Sequence, residues 1–396
     1  MKKTVAIIIL IFVAFCMFYF GQPVLNYGFV QLPILLILLL LIAVVLFTKL
    51  AVNPANKQLI IKQKPSKIFS VLIAVVLAYV IILPLATSLP MFRSESYRNL
   101  IGEVKDGNDL KNHIAPISLD EIRVVDERLA MLLGEKIIGS QPSLGSQAEI
   151  GDFTIQKVNN KLYWVAPLLH TGFLKWINNS EGTPGYVMVS ATNERDVKLV
   201  QDINGKPLKI KYQPEAFLGS EIKRHVYFSG YATIGLTDFS FEIDDAGNPF
   251  WIVTTYKKEI GFGGSDATGT LVVNAQTGEI TQYAMTDTPL WVDRIQPLHL
   301  IEEQLADWGE YVQGYWNWSN ENKLQITEGL TLVYGENHKS YWYTGLSSVG
   351  KEESTVGFVL VDTRTKETTY YKQSGATEYA AQSSAEGKVQ EKGYHA

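Results

Sequence analysis

The feature that most constrains this chain is a set of three uncharged apolar runs, Thr4 to Phe20, Phe29 to Phe47 and Ile68 to Leu89, gathered in its first 89 residues. Each approaches the ~20 residues that a helix needs to cross a hydrocarbon core about 30 Å thick. A backbone in lipid must satisfy its own hydrogen bonds, so helices are expected. Residues 1–88 carry seven lysines and no Asp or Glu, which leaves 28 of the 35 basic groups and all 40 acidic groups to the rest of the chain. The two parts are built for different solvents. The fold class that follows is a membrane-anchored α+β protein, with a three-helix transmembrane anchor over 1–89 and a large acidic domain after it. Such a domain has no electrostatic footprint for DNA or RNA, so nucleic acid is not expected as a partner and the lipid bilayer is.

Met1-Lys2-Lys3 could open a signal peptide, yet no Ala-x-Ala-like site follows Phe20, so the first run is read as a retained span. Phe15 before Cys16 argues against a lipid-modified cysteine. The connection from Thr48 to Lys67 holds Lys49, Lys57, Lys62, Lys64 and Lys67, while that from Gly21 to Gly28 is uncharged. The positive-inside rule then sets the lysine loop and the amino terminus in the cytoplasm and everything after Pro90 outside, a multi-pass arrangement in the cell membrane. The spans contain no ionisable side chain, only Pro33, Pro84 and Tyr79 as irregular features, which fits an anchor better than a transporter. Cys16 is the only cysteine, so the outer domain is held by burial and not by disulfides.

Within that domain one pattern occurs three times, in strands centred on Trp164, Trp251 and Trp342, which lie 87 and 91 residues apart. Each copy pairs an aromatic strand with a second apolar strand (Gly185 to Asn193, Gly269 to Asn274, Gly357 to Asp362), and both alternate with period 2. Asn274 to Gly278, Asp362 to Thr365 and Asp244 to Asn248 have the chemistry of tight turns. A capping box, Ser118-Leu119-Asp120-Glu121, opens a helix expected from Leu119 to Leu133 and stopped by Gly134. Further helical stripes run from Gln296 to Val312 and from Glu378 to Lys392. The expected division is repeat 1 over 90–202, repeat 2 over 203–290, repeat 3 over 291–373 and a C-terminal helix over 374–396. That last helix either docks on the third repeat or starts a truncated fourth.

The strand Trp251-Ile252-Val253, the hairpin Val272 to Ile280 and the helical stretch Ala385 to Val389 together resemble the PepSY type of domain, a small extracytoplasmic α+β module with a helix on an antiparallel sheet. The resemblance covers about 70 residues well, and the arrangement as a whole is similar to large Gram-positive bacterial membrane proteins. It implies a binding or inhibitory module, and it supplies no catalytic residues.

The side chains themselves agree with a non-enzyme. The six histidines form no metal-ligand pair, no Gly-x-Ser-x-Gly elbow is present, and no cofactor is expected. Gly261 to Gly269 is glycine-rich but leads into a strand, without the helix dipole of a phosphate loop, and reads as a mobile hairpin connection. Asp238, Asp244 and Asp245 lack calcium-loop spacing. The densest candidate is aromatic: Trp308, Tyr311 and Tyr315 fall on one helical face, with Trp316 and Trp318 at its end. They either fill a core between repeats or bind a partner by stacking. The expected function is a non-catalytic extracytoplasmic binding, scaffold or regulatory domain whose partner is another envelope protein. The alternative is a PepSY-like inhibitor or regulator of a surface peptidase, or part of an envelope enzyme complex.

Overall fold

A computed structural model describes residues 3–47, 49–52, 59–63, 67–108, 110, 122–145, 147–327, 329–335, 339–349 and 354–376. The chain is α+β and divides into two compact units. One contains the residues up to Arg93 with Val226–Gly235 and Lys257–Ser265; the other contains Ser94–His225, Leu236–Tyr256 and the chain from Asp266 onward.

The first unit is built on three apolar helices, α1 (Lys3–Gly21), α2 (Gln31–Phe47) and α3 (Lys67–Thr87). Two of them, and not the expected three, are long and apolar enough to cross a membrane. The middle helix has 17 residues, or about 26 Å at 1.5 Å per residue. It is short because the start of its apolar run is spent on a turn: the Phe29 N–H donates to the Asn26 carbonyl, and Gln31 Oε1 accepts from the Val24 N–H at 2.8 Å. At the far end of α2 the lysine-bearing connection forms an antiparallel hairpin, Lys49–Val52 with Leu59–Gln63. Lys57 and Lys64 lie outside the described residues.

The opposite ends of the helices hold the other two segments of this unit. The Leu25 N–H donates to the Ala232 carbonyl at 2.7 Å, the Tyr227 hydroxyl to the Pro23 carbonyl at 2.7 Å, and the Phe262 N–H to Ser88 Oγ at 2.9 Å. Tyr79 donates to the Tyr27 carbonyl and meets Phe262 edge-on at 5.6 Å. Gly261 and Phe262 form the expected hairpin connection, and its tip is hydrogen-bonded to Ser88.

Among the described residues, three larger sheets form, one around each repeat tryptophan. Lys161–His170, with Trp164, pairs with Thr154–Val158 and Ala148–Ile150 on one side and Tyr186–Ser190 on the other, followed by Val197–Val200. Gly235–Ile243, Pro249–Ile260, Gly263–Asn274 and Ile280–Ala284 follow in sequence order, with Trp251 on the second strand. Ser340–Ser348, with Trp342, pairs with Leu324–Ile326 and Thr331–Tyr334 and then with Gly357–Asp362 and Thr368–Tyr371. Val104–Asp106 adds to this last sheet in parallel.

The three sheets share more than an aromatic strand. In each, the indole N–H donates to a backbone carbonyl ahead of the module's helix: Trp164 to Val125 at 2.9 Å, Trp251 to Tyr212 at 2.7 Å and Trp342 to Gln296 at 2.8 Å. The N–H groups of that residue and the one before it converge on one carbonyl just past the neighbouring strand, that of Ala191, Ala275 or Thr363. The N–H of this third residue returns to the strand two positions before the tryptophan, at Leu162, Pro249 and Ser340. The same clamp is thus made three times, and it satisfies buried backbone groups that would otherwise cost free energy.

The helices follow the clamps. Val125 is not helical: the first helix runs Glu127–Gly139 with Asp126 as its N-cap, whose carboxylate accepts the Leu129 N–H at 2.7 Å. The expected capping box at 118–121 lies outside the described residues. Gly134 does not stop this helix. It sits in the middle, because a Cβ there would press on Ile150 and Phe153, each 3.0 Å away. The expected Gln296 to Val312 helix is Leu298–Glu310, entered through Pro297. The 377–396 stretch, with its expected helix, lies outside the described residues.

Turn chemistry follows the reading of the sequence. Asn274 Oδ1 accepts the Gln276 and Thr277 N–H groups and Gly278 has φ +78; Asp362 Oδ1 does the same for Arg364 and Thr365. One core joins the first sheet (Trp164, Val187, Val189), the helix Leu298–Glu310 (Ile301, Leu305) and the third sheet (Trp342, Val359, Val361).

Candidate binding surface

The helix Leu298–Glu310 turns Leu300, Ile301, Gln304, Leu305 and Gly309 inward. Gly309 is required there, since a Cβ would land on the Leu324 carbonyl. Trp308 follows and packs against the core. The Arg98 guanidinium lies 5.5 Å above its ring and donates to its carbonyl, and Tyr370 meets it edge-on at 6.1 Å. The helix ends at Glu310. Tyr311 caps it with its N–H on the Asp307 carbonyl, and the chain reverses at Gly314 with φ +78.

Trp308, Tyr311 and Tyr315 therefore do not share one helical face, because the helix has ended before Tyr315. Tyr97 and four of the candidate aromatics form a relay in space: Tyr97 to Tyr311 at 6.3 Å, Tyr311 stacked on Tyr315 at 6.4 Å, Tyr315 perpendicular to Trp316 at 5.2 Å, and Trp316 to Trp318 at 5.6 Å. Trp308 is structural. Tyr315 is exposed, and Trp316 and Trp318 keep 58% and 80% of their surface in water. The loop bearing them is fastened. Asn317 is buried, donating to the Glu321 carbonyl at 2.8 Å and accepting from Ser319, and Lys323 is buried with Nζ 2.6 Å from Glu310. Two tryptophans held outward by an ordered loop make a preorganised contact surface. Behind it, burial and then Glu303 push the Asp307 carboxyl up to about 6, and burial followed by Asp307 raises the Tyr311 hydroxyl to about 12.

A second cluster escaped the sequence reading. Arg294 Nη2 lies 3.9 Å from Glu242 Oε1, with Glu242 buried and Arg294 partly buried. Asp293 beside it accepts from the Lys157 N–H at 2.7 Å and the Tyr334 hydroxyl at 3.3 Å, while its carbonyl accepts from Ser340 and Thr363. Gln156 Oε1 accepts the Ile243 N–H at 3.0 Å. Residues of all three sheets thus meet at one polar knot. Burial pushes the Glu242 carboxyl up to about 8 against the pull of Arg294, and pushes Asp293 up to about 6. The alternation of Phe239 to Ile243 puts Glu242 on the polar face with Ser240, so the available signal was the Asp-Arg pair flanked by Val292 and Ile295. Both carboxylates of the knot are buried, which makes it a structural joint.

A cavity of about 300 Å³ has Phe239, Phe241 and Trp251 in its walls and Glu149, Asp152 and Glu215 among its lining. Among the described residues no group of three His, Cys, Asp or Glu side chains could hold a metal ion.

No protein-family model matches the chain, and no curated protein does. Among solved structures, the crystal structure of a thermostable family-43 glycoside hydrolase is similar at a TM-score of 0.19 and 13% identity, over 59% of this chain and 57% of that one, and so low a score carries no shared fold or activity.

Proposed function

We propose that the chain is an integral membrane protein that presents a non-catalytic, extracytoplasmic α+β domain at the bacterial cell envelope, where the loop carrying Tyr315, Trp316 and Trp318 contacts another envelope protein. The observation that carries the proposal is the division of the apolar helices. The lysine hairpin occupies one end, and the segments Val226–Gly235 and Lys257–Ser265 are hydrogen-bonded at the other. With α2 spanning despite its length, by local thinning of the bilayer, the charge rule puts those segments outside. Tandem PepSY-like modules are supported by the threefold clamp. If that likeness extends to activity, the domain restrains a surface peptidase.

Protease added to intact cells without an outer barrier should cut after Pro90 and spare the Lys49 to Lys67 connection. Cleavage confined to inverted vesicles overturns the orientation. For the contact surface, Trp316→Ala should leave the unfolding free energy within about 0.5 kcal/mol of the parent, as at exposed sites generally, yet lose cross-linking to the partner in intact membranes. A large drop in stability with partner retention assigns the loop to packing. Co-purification of a peptidase that gains activity when residues 90–396 are removed favours the inhibitory reading.

A further inference from the structure

The helix Phe173–Asn178 and the turn at Phe217–Leu218 form an apolar surface unrelated to the tryptophan loop. Phe173 stacks edge-on against Phe217 at 5.2 Å, and Trp176 lies against Phe217 at 5.6 Å, so the two segments are one packed tip. From it Phe173, Leu174, Ile177 and Leu218 point into water, Leu174 with 72% and Leu218 with 59% of their surface exposed. Leu218 is held in the left-handed region, with φ +54, which only a packed turn makes tolerable for a leucine. Four large apolar side chains on adjoining turns are not an ordinary surface. Beneath them Trp176 is buried, and its indole N–H finds no acceptor, whereas Trp164, Trp251 and Trp342 each have one.

The chain path limits what can cover this tip. Tyr227 follows Leu218 by nine positions and donates to the Pro23 carbonyl just beyond α1, a path of at most about 30 Å even if fully extended. Ile222–Val226 within it is helical and shortens it further. The tip is therefore on a short covalent tether to the segment that is hydrogen-bonded at the end of α1. Its composition, Phe-Leu-Lys-Trp-Ile with one basic side chain, is that of a short segment that settles into the boundary between headgroups and acyl chains. We infer that Phe173, Leu174, Ile177 and Leu218 insert into the outer face of the same bilayer that holds α1 and α3, a lipid contact that rests on the anchored reading above.

The test uses the full chain in vesicles of phosphatidylcholine and phosphatidylglycerol, some of it brominated in the acyl chain. In a Cys16→Ser background, which removes the only cysteine, Leu174→Cys, Glu194→Cys and Val75→Cys are each labelled with an environment-sensitive fluorophore. Label at 174 should emit to the blue of label at 194 and be quenched by bromolipid several-fold more strongly, approaching label at 75 in the middle of α3. Quenching at 75 but not at 174 overturns the inference and leaves the anchor standing. Quenching at neither overturns the anchor as well. A blue shift at 174 without quenching means that protein, such as a second copy of the chain, covers the tip, and this too overturns it.

Discussion

Trp342→Ala should lower the unfolding free energy of the second unit by about 3–5 kcal/mol, the range for deleting a buried aromatic side chain. The ring is 4% exposed within the shared core, and its N–H is the donor for the Gln296 carbonyl. Trp342→Phe separates these contributions. It keeps most of the apolar contact but leaves that carbonyl without its indole donor, so a cost of about 1–3 kcal/mol is expected from the polar term. All eight tryptophans lie between residues 164 and 342, so fluorescence during urea unfolding of the detergent-solubilised chain reads this domain without contribution from the apolar helices. A loss under 1 kcal/mol for the alanine variant would show that the clamp is dispensable.

The second large effect concerns pH. Glu242 has a carboxyl raised to about 8 in the fold by burial, against an ordinary value near 4.5. Below 4.5 the group is protonated in both states, and its contribution is fully present. Between 4.5 and 8 the unfolded chain ionises while the folded chain does not, so stability falls as pH rises, by on the order of 5 kcal/mol across the window. Asp293 and Asp307, each raised to about 6, add a fall of the same sign at lower pH. Glu242→Gln should therefore flatten the profile selectively between pH 6 and 8. Urea midpoints from pH 5 to 8.5 decide the matter, and a variant whose profile runs parallel to that of the parent would show that Glu242 stays ionised beside Arg294.

Sequence alone located the three aromatic strands, their turns and the acidic α+β domain, because period-2 alternation and Asn-Gly or Asp-Thr turns are local properties. It placed the first helix too early: Ile122 and Val125 have helical spacing, but Val125 is held by the Ala191 carbonyl and the Trp164 indole, contacts made across 39 residues or more. It extended the aromatic stripe through Tyr315 because nothing nearby announced that Glu310 would be the last helical residue. It missed the Glu242 and Arg294 joint for the same reason: the pair brings together a strand and a loop 52 residues apart. Trp316 and Trp318 were legible as residue types, but their exposure was not, since it depends on Asn317 and Lys323 being buried beneath them.

The assignment of Val226–Gly235 and Lys257–Ser265 to the helical unit has a consequence for how the protein can be shed. The chain passes between the two units five times, after Arg93, His225, Gly235, Tyr256 and Ser265. A sheddase cutting one stalk releases an ectodomain that hangs from a single linker. Here a nick after Arg93 leaves the cut portion stitched to the helix ends by the Leu25, Tyr227 and Phe262 hydrogen bonds. The fragments should stay together after one cleavage and separate only in denaturant, so with the proposed anchoring, release into the medium would demand several cuts or unfolding first.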